Sequence, residues 1–169
     1  ALHRMALEEL LLEFNIKGFS EPEKEKLNTA WHRLKPWPDS VQGLTRLKEN
    51  YIIGTLSNGN VSLLVNMAKN AGLPWDCILS AELAQAYKPD PKVYAMAVLM
   101  LGLKPEEVVM VAAHKGDLVA AQNVGLKTAF VPRPLEHGLN SIKESETDSS
   151  FDIEFVDLCQ MADELTPRN

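Results

Sequence analysis

The sequence predicts an α/β fold, a doubly wound parallel sheet preceded by a short helical segment, and three observations predict it. From residue 39 onward, apolar runs of strand length alternate with apolar residues at helical spacing. The run Tyr51 to Leu56 stops abruptly at Ser57-Asn58-Gly59-Asn60, and helical spacing resumes at Val61, Leu64, Val65 and Ala68. That is the pattern of a buried strand, a tight turn and a helix. Finally, Lys35-Pro36-Trp37-Pro38-Asp39-Ser40 cannot continue a helix. It is read as a hinge dividing a helical part, 1–38, from the sheet-forming part, 39–169. In an open sheet of this kind ligands bind beyond the carboxyl ends of the strands. Ser57 and Asn58 fall at that edge.

In chain order, Leu2, Met5, Ala6, Leu10, Leu11 and Phe14 recur every three or four residues, which predicts a first helix ending near Asn15 and Gly18. Ser20 with Glu23 three residues on, and Pro22 early in the turn, predicts a second helix. Leu27, Ala30, Trp31 and Leu34 share one face, so it is expected to run to about Leu34. Beyond the hinge come a short helix from Val41 to Lys48, the strand from Tyr51, and a helix from Val61 that ends at Ala71-Gly72 with glycine past its last turn. Cys77 to Ser80 reads as a short strand, and Pro91 opens a helix closed by Gly102. Val108 to Ala113 is the most apolar strand, followed by a helix from Leu118 to Val124 and a strand from Lys127 to Val131. Residues 134–150 have no periodicity and are expected to form a long loop, mobile in part. Phe151 to Val156 reads as a last strand and Asp157 to Leu165 as a last helix with Asp157 as its cap.

Composition narrows the function. A length of 169 residues suits one domain with a real core. A net charge of −6 argues against a nucleic-acid backbone or an anionic membrane as partner. No apolar run approaches the roughly 20 residues of a membrane helix, and the first helix carries acids unlike a signal peptide. Cys77 and Cys159, far apart, read as free thiols in a reducing, cytoplasmic setting.

Three stretches, in order and each at a strand end or helix start, resemble one superfamily. They are Leu56 to Asn60 (LSNGN), Tyr87 to Tyr94 (YKPDPKVY) and Val108 to Ala121 (VVMVAAHKGDLVAA). Together they are similar to the haloacid dehalogenase-like hydrolases, and within them to the L-2-haloacid dehalogenase (type II) branch. The resemblance implies a Rossmann-like core with a partial helical cap, the leading helices matching the second half of that cap. Members of the family use an aspartate at the end of a first, central strand, of the form DxxGT, as the nucleophile. That strand precedes the cap and is expected to be absent from this chain, together with an arginine that helps take the halide. Neighbouring strand edges are then expected to be left unpaired, inviting association. Complete relatives are commonly homodimers, so a homodimer is the implied assembly.

The same resemblance assigns roles, each beside a plainer reading. Ser57 and Asn58 would hold a substrate carboxylate and the leaving halide, although both residue types also suit a capping turn. Lys88, extended before Pro89, would neutralise a carboxylate nucleophile and a bound anion, although a lysine is by default a solvated charge. Tyr94 lies near the family's active site or is a half-buried core tyrosine. Asp117 would orient the lysine and help place water, or cap the helix that starts at Leu118. Where the related phosphatases carry a magnesium-binding aspartate, this chain has Ala113. Mg²⁺ needs hard, charged oxygens, so metal-free chemistry is expected, with a Mg²⁺ site as the alternative. Ala112, Ala113 and His114 replace the dehalogenases' two serines and asparagine, and Gly116 a large aromatic, so substrate size does not carry over. His114 is expected to orient water or meet a carboxylate, or to be an ordinary strand-end residue.

Three functions are therefore weighed. The first is hydrolysis of a small 2-haloacid to a 2-hydroxy acid through an aspartyl ester, without cofactor. The second is a phosphatase with an altered metal site. The third is a non-catalytic chain that keeps the pocket edge and binds an anion or a partner.

Overall fold

The computed structural model describes residues 2–138 and 150–165. Residues 139–149 of the expected long loop lie outside the described residues; its start, 134–137, is a turn. Helix α1 spans Leu2–Glu13 and α2 Glu21–Asn28. Glu23 accepts from both the backbone N–H (2.9 Å) and the hydroxyl (2.6 Å) of Ser20, at the helix start the sequence predicts. The expected continuation to Leu34 does not hold, for α2 stops at Asn28 and a 3₁₀ turn follows over Ala30–Arg33. Arg33 takes the carbonyls of Lys26 (2.7 Å) and Thr29 (3.0 Å), and the Thr29 hydroxyl takes that of Glu25 (3.1 Å). These side chains take carbonyls of the last turn that a longer helix would use, that of Lys26 among them.

The leading helices hold to one another mainly by surface ion pairs of Arg4 and Lys24 with Glu8 and Glu21. Leu11 is buried, but Met5, Leu10, Leu12, Phe14 and Trp31 are exposed. The apolar periodicity of α1 is therefore real, but most of the face it marks has no cover here. Asn66 on the helix Val61–Ala71 bonds His32 (2.9 Å), and Asn70 of the same helix donates to the Leu34 carbonyl (3.3 Å), so the 3₁₀ turn rests on the core.

The core alternates as predicted: α3 Ser40–Leu47, β1 Gly54–Ser57, α4 Val61–Ala71, β2 Cys77–Ser80, α5 Ala81–Ala84, α6 Pro91–Leu101, β3 Val109–Ala112, α7 Lys115–Gln122, β4 Lys127–Phe130, β5 Ile153–Glu154 and α8 Leu158–Leu165. Strand β1 begins three residues later than its apolar run. Tyr51 N–H still bonds Leu47 of the preceding helix (2.9 Å), and Ile53 N–H is taken by the Asp76 carboxylate (2.9 Å). Pairing with β2 then starts at Gly54 against Cys77. A Cβ at Gly54 would sit 2.6 Å from the Cys77 sulfur, so any other residue there would force that side chain to turn away. The last strand is shorter than expected, and α5 went unpredicted because four residues carry no period.

Among the described residues all pairing is parallel, in two separate pieces, β1-β2 and β3-β4-β5. Strand alternation sorts side chains to two faces. Ala129 and Val131 join Leu44 and Leu47 of α3 and Met161 and Ala162 of α8 on one face. Met110 and Phe130 join Tyr94, Leu118 and Ala121 on the other. Between the free edges of β1 and β3 lies a cleft of about 660 Å³. Ile53 to Leu56 and Val109 to Ala112 form its sides; Leu44, Leu47 and Met161 wall one face, and Leu64, Ala97 and Leu101 help line the rest. No helix among the described residues is long and apolar enough to cross a membrane.

The segment read from sequence as a hinge is fastened by a charged pair. Arg133, just past β4, donates two bonds to Asp39 (2.9 and 2.8 Å) and lies over the Trp37 ring at 5.3 Å. Leu158 N–H adds a third bond to the same carboxylate (2.9 Å). Burial works to raise the Asp39 pKa, but Arg133 and the Leu158 N–H together hold it below the ordinary 3.8. A depressed acid contributes its stability above the unfolded value and loses it as pH falls through the folded one. Asp39→Asn is therefore expected to cost about 2 kcal/mol at pH 7. Urea unfolding should show that difference shrinking below pH 4 (about the unfolded value); a difference unchanged with pH would contradict the assignment.

Candidate active site

The turn after β1 is built to hold its shape. Ser57 Oγ accepts from Gly59 N–H (3.0 Å), Ser80 Oγ donates to the Gly59 carbonyl (2.6 Å), and the Glu82 carboxylate accepts from Val61 N–H at the start of α4 (2.9 Å). Serine at 57 thus shapes the turn with its lone pair while keeping its own proton to donate. Asn58 reaches across to the Tyr87–Asp90 segment. Its amide oxygen accepts from Lys88 N–H (2.7 Å) and its NH₂ donates to the Lys88 carbonyl (3.2 Å). The expected anion-binding amide is therefore also the clamp that fixes the lysine backbone, a role sequence reading missed.

Asp90 caps α6 by accepting from Lys92 N–H (2.9 Å), and Pro91 fits its first position. That start places Tyr94 one turn in, where it is fully buried. Lys88 Nζ binds Asp117 Oδ2 at very short range, and Tyr94 OH donates to Asp117 Oδ1 (2.6 Å). The side chains of Lys88 and Asp117 are 15% and 17% exposed, so most of the pair is out of water. Burial first, then the bond to Asp117 and its charge, push the Tyr94 pKa well above the ordinary tyrosine range. The phenol stays protonated and can only be a donor to this carboxylate. The expected half-buried core tyrosine is thus fully buried and also joined to the acid.

Asp117 is not the cap of its helix. Its own N–H (3.1 Å) and that of Leu118 (3.4 Å) bond the His114 carbonyl, so α7 starts at Lys115 with His114 as the cap. Asp117 sits within the first turn, where a negative charge is favoured. The network Asn58–Lys88–Asp117–Tyr94 draws the carboxyl ends of β1 and β3 together at the end of the cleft. His114 lies at the same edge but belongs to another contact, its Nε2 standing 2.9 Å from Glu136 Oε2. Glu136 was not singled out from sequence, because nothing local marks it.

A magnesium ion asks for several charged oxygens around one point. Here Ala113 offers none, and each Asp117 oxygen already accepts a hydrogen bond. Among the described residues no group of three or more His, Cys, Asp or Glu is placed to hold a metal ion. The donor set at this edge does not fit Mg²⁺.

Comparison with known proteins agrees with the geometry. A model of the haloacid dehalogenase-like hydrolases matches residues 3–125. An (S)-2-haloacid dehalogenase 4A of Burkholderia cepacia is 36% identical over 134 residues, covering 72% of this chain and 58% of that protein. An (S)-2-haloacid dehalogenase of Xanthobacter autotrophicus is 35% identical over 112 residues, covering 65% of this chain and 44% of that one. The chain therefore spans about half the length of these curated relatives. Among solved structures, an L-2-haloacid dehalogenase superposes with a TM-score of 0.94 at 44% identity, covering 98% of this chain and 72% of the other. A defluorinating L-2-haloacid dehalogenase gives 0.94 at 48%, covering 98% and 69%. On the matched family model and these relatives, the chain belongs to the haloacid dehalogenase-like hydrolase family.

Proposed function

We propose that the whole protein is a hydrolase of L-2-haloacids, giving a 2-hydroxy acid and halide without metal or cofactor. The observation that carries this reading is Lys88, held at the meeting point of two strand ends by Asn58 and by Asp117, which Tyr94 in turn fixes. A fixed, largely desolvated cation there suits an anionic nucleophile and an anionic substrate together. The attacking aspartate would come from a strand seated in the cleft between β1 and β3, its carboxylate next to Lys88.

In the first step a carboxylate oxygen bonds the substrate α-carbon from the side opposite the halogen. The carbon–halogen bond breaks with its electron pair leaving on halide, and the configuration inverts. Water then attacks the carbonyl carbon of the aspartyl ester, and the bond to the substrate oxygen breaks. The 2-hydroxy acid leaves, and one proton is released overall. Ser57 and Asn58, at the edge of the cleft, would hold the substrate carboxylate. The free thiols Cys77 and Cys159 fit a reducing cytoplasm, and a homodimer is the assembly we infer from the likeness to complete relatives.

The test is halide release from L-2-chloropropionate by the whole protein, with D-lactate as the expected product. Mg²⁺-dependent phosphate release from a phosphoester, with no halide release, would replace this reading by the phosphatase one. Tight anion binding without either turnover would favour the binding-protein reading instead.

A further inference from the structure

Ser80, the last residue of β2, is fully buried and stands in register with Ser57 on β1. Its hydroxyl is used twice. It donates to the Gly59 carbonyl (2.6 Å), and it accepts the Glu82 N–H (3.1 Å) at the start of α5. From there the chain runs through α5 to Lys88, whose backbone N–H and carbonyl are both taken by Asn58. The segment that carries the lysine is thus fastened at both ends to adjacent residues of one turn, Ser80 to Gly59 and Lys88 to Asn58.

The path between the two fastenings is not slack. Helix α5 gives way to Gln85 in the left-handed conformation (φ 49°, ψ 36°). Gln85 N–H bonds the Glu82 carbonyl (3.2 Å), and Ala86 N–H that of Ala81 (3.4 Å). A non-glycine residue persists in that conformation only where its surroundings over-determine it. A third tie, from the Glu82 carboxylate to Val61 N–H, lies at the surface, where water competes for both partners. The Ser80 tie lies out of water, where a hydrogen bond is electrostatically stronger. Removing that hydroxyl would take a partner from both the Gly59 carbonyl and the Glu82 N–H.

We propose that Ser80 is a positioning residue for the reaction, its hydroxyl setting where Lys88 stands relative to the Ser57-Asn58 turn. This rests on the dehalogenase reading above. The groups that hold the substrate carboxylate and the cation that faces the nucleophile lie on two segments, and one buried hydroxyl fixes their spacing. A displacement of about 1 Å between such groups can cost on the order of a hundredfold in rate. No proton and no bond of the reaction passes through Ser80. It acts through Asn58 and Lys88.

Steady-state halide release by the whole protein, at a temperature where circular dichroism shows each variant folded, tests this. Ser80→Ala should lower kcat about tenfold while KM, set by the Ser57-Asn58 turn, changes by less than about twofold. Ser80→Thr, which keeps the hydroxyl, should recover most of kcat. Ser80→Cys, which fills the space but bonds weakly, carries the same test should alanine fail to fold. In an Asn58→Ala background, where the Lys88 end is already loose, Ser80→Ala should cost less than about a further twofold. Hydrogen exchange at Lys88 N–H should quicken in Ser80→Ala while residues 109–112 keep their protection. A lowered unfolding midpoint with unchanged kcat would mark a merely structural hydroxyl and overturn the proposal alone. So would a tenfold loss that persists without Asn58, or Lys88 N–H exchange that does not change. No halide release by the unsubstituted protein would overturn the dehalogenase reading and this proposal with it.

Discussion

Lys88→Met should reduce halide release by the whole protein roughly a thousandfold. Methionine keeps much of the stem's volume and removes the charge, so the effect isolates the cation. Asn58 holds the backbone of residue 88 from both sides, and that clamp does not depend on the side chain. The loop should therefore stay in place while the field at the strand ends changes sign. Asp117 would keep Tyr94 as its donor but lose its counter-charge in a site where both partners are more than four-fifths covered. A carboxylate left so costs about 3 kcal/mol of folding stability. The two losses separate in the double variant. Adding Asp117→Asn to Lys88→Met removes the stranded charge and should restore most of the stability without restoring turnover. Tyr94→Phe gives the scale of a neutral partner: removing its bond should cost about 1 kcal/mol. Retention of more than a tenth of the halide release by Lys88→Met would remove the lysine from the mechanism.

The sequence made this site legible to the extent that local pattern marks it. The apolar run into Ser57-Asn58, the lysine before Pro89 and the acid after the most apolar strand each lie where a strand gives way to a helix. Such edges are readable because hydrophobic period changes there. What stayed hidden are contacts between residues far apart in the chain. Asn58 with the Lys88 backbone, Tyr94 with Asp117, His114 with Glu136 and Asp39 with Arg133 leave no period behind. Element ends were misplaced for a related reason. The start of β1 is decided by Asp76 taking the Ile53 N–H, and the end of α2 by Arg33 taking carbonyls, neither visible in apolar spacing. The cap of α7 moved from Asp117 to His114 because a backbone carbonyl, not a side chain, receives the first N–H groups.

An N-terminal extension carrying an apolar strand that ends in aspartate should raise the thermal midpoint of these 169 residues by about 10–20 °C. The expectation comes from the cleft. Parallel edges are open on β1 and on β3, and both faces of the gap are apolar. A strand placed there would meet side-chain walls above and below, so it must be apolar on both faces rather than alternating. Fully burying five or six such side chains contributes about 1.5–3 kcal/mol each, and pairing with both edges adds about 1 kcal/mol per hydrogen bond; against about 1–2 kcal/mol per ordered residue plus side-chain entropy, on the order of 5 kcal/mol remains. For a domain of this size that corresponds to the stated shift. Without such a strand the two edges are templates for pairing with another chain, so the 169 residues alone should self-associate at raised concentration. Size exclusion and hydrogen exchange at residues 54–57 and 109–112 measure both effects. An extension with lysines at its central positions is the control, since charge cannot enter the apolar slot. If the apolar and lysine extensions stabilise equally, the cleft is not a strand site. If only the apolar one does, changing its final aspartate to asparagine should leave the midpoint high while abolishing halide release. The seat of the strand and the chemistry it delivers to Lys88 would then be separated in one pair of proteins.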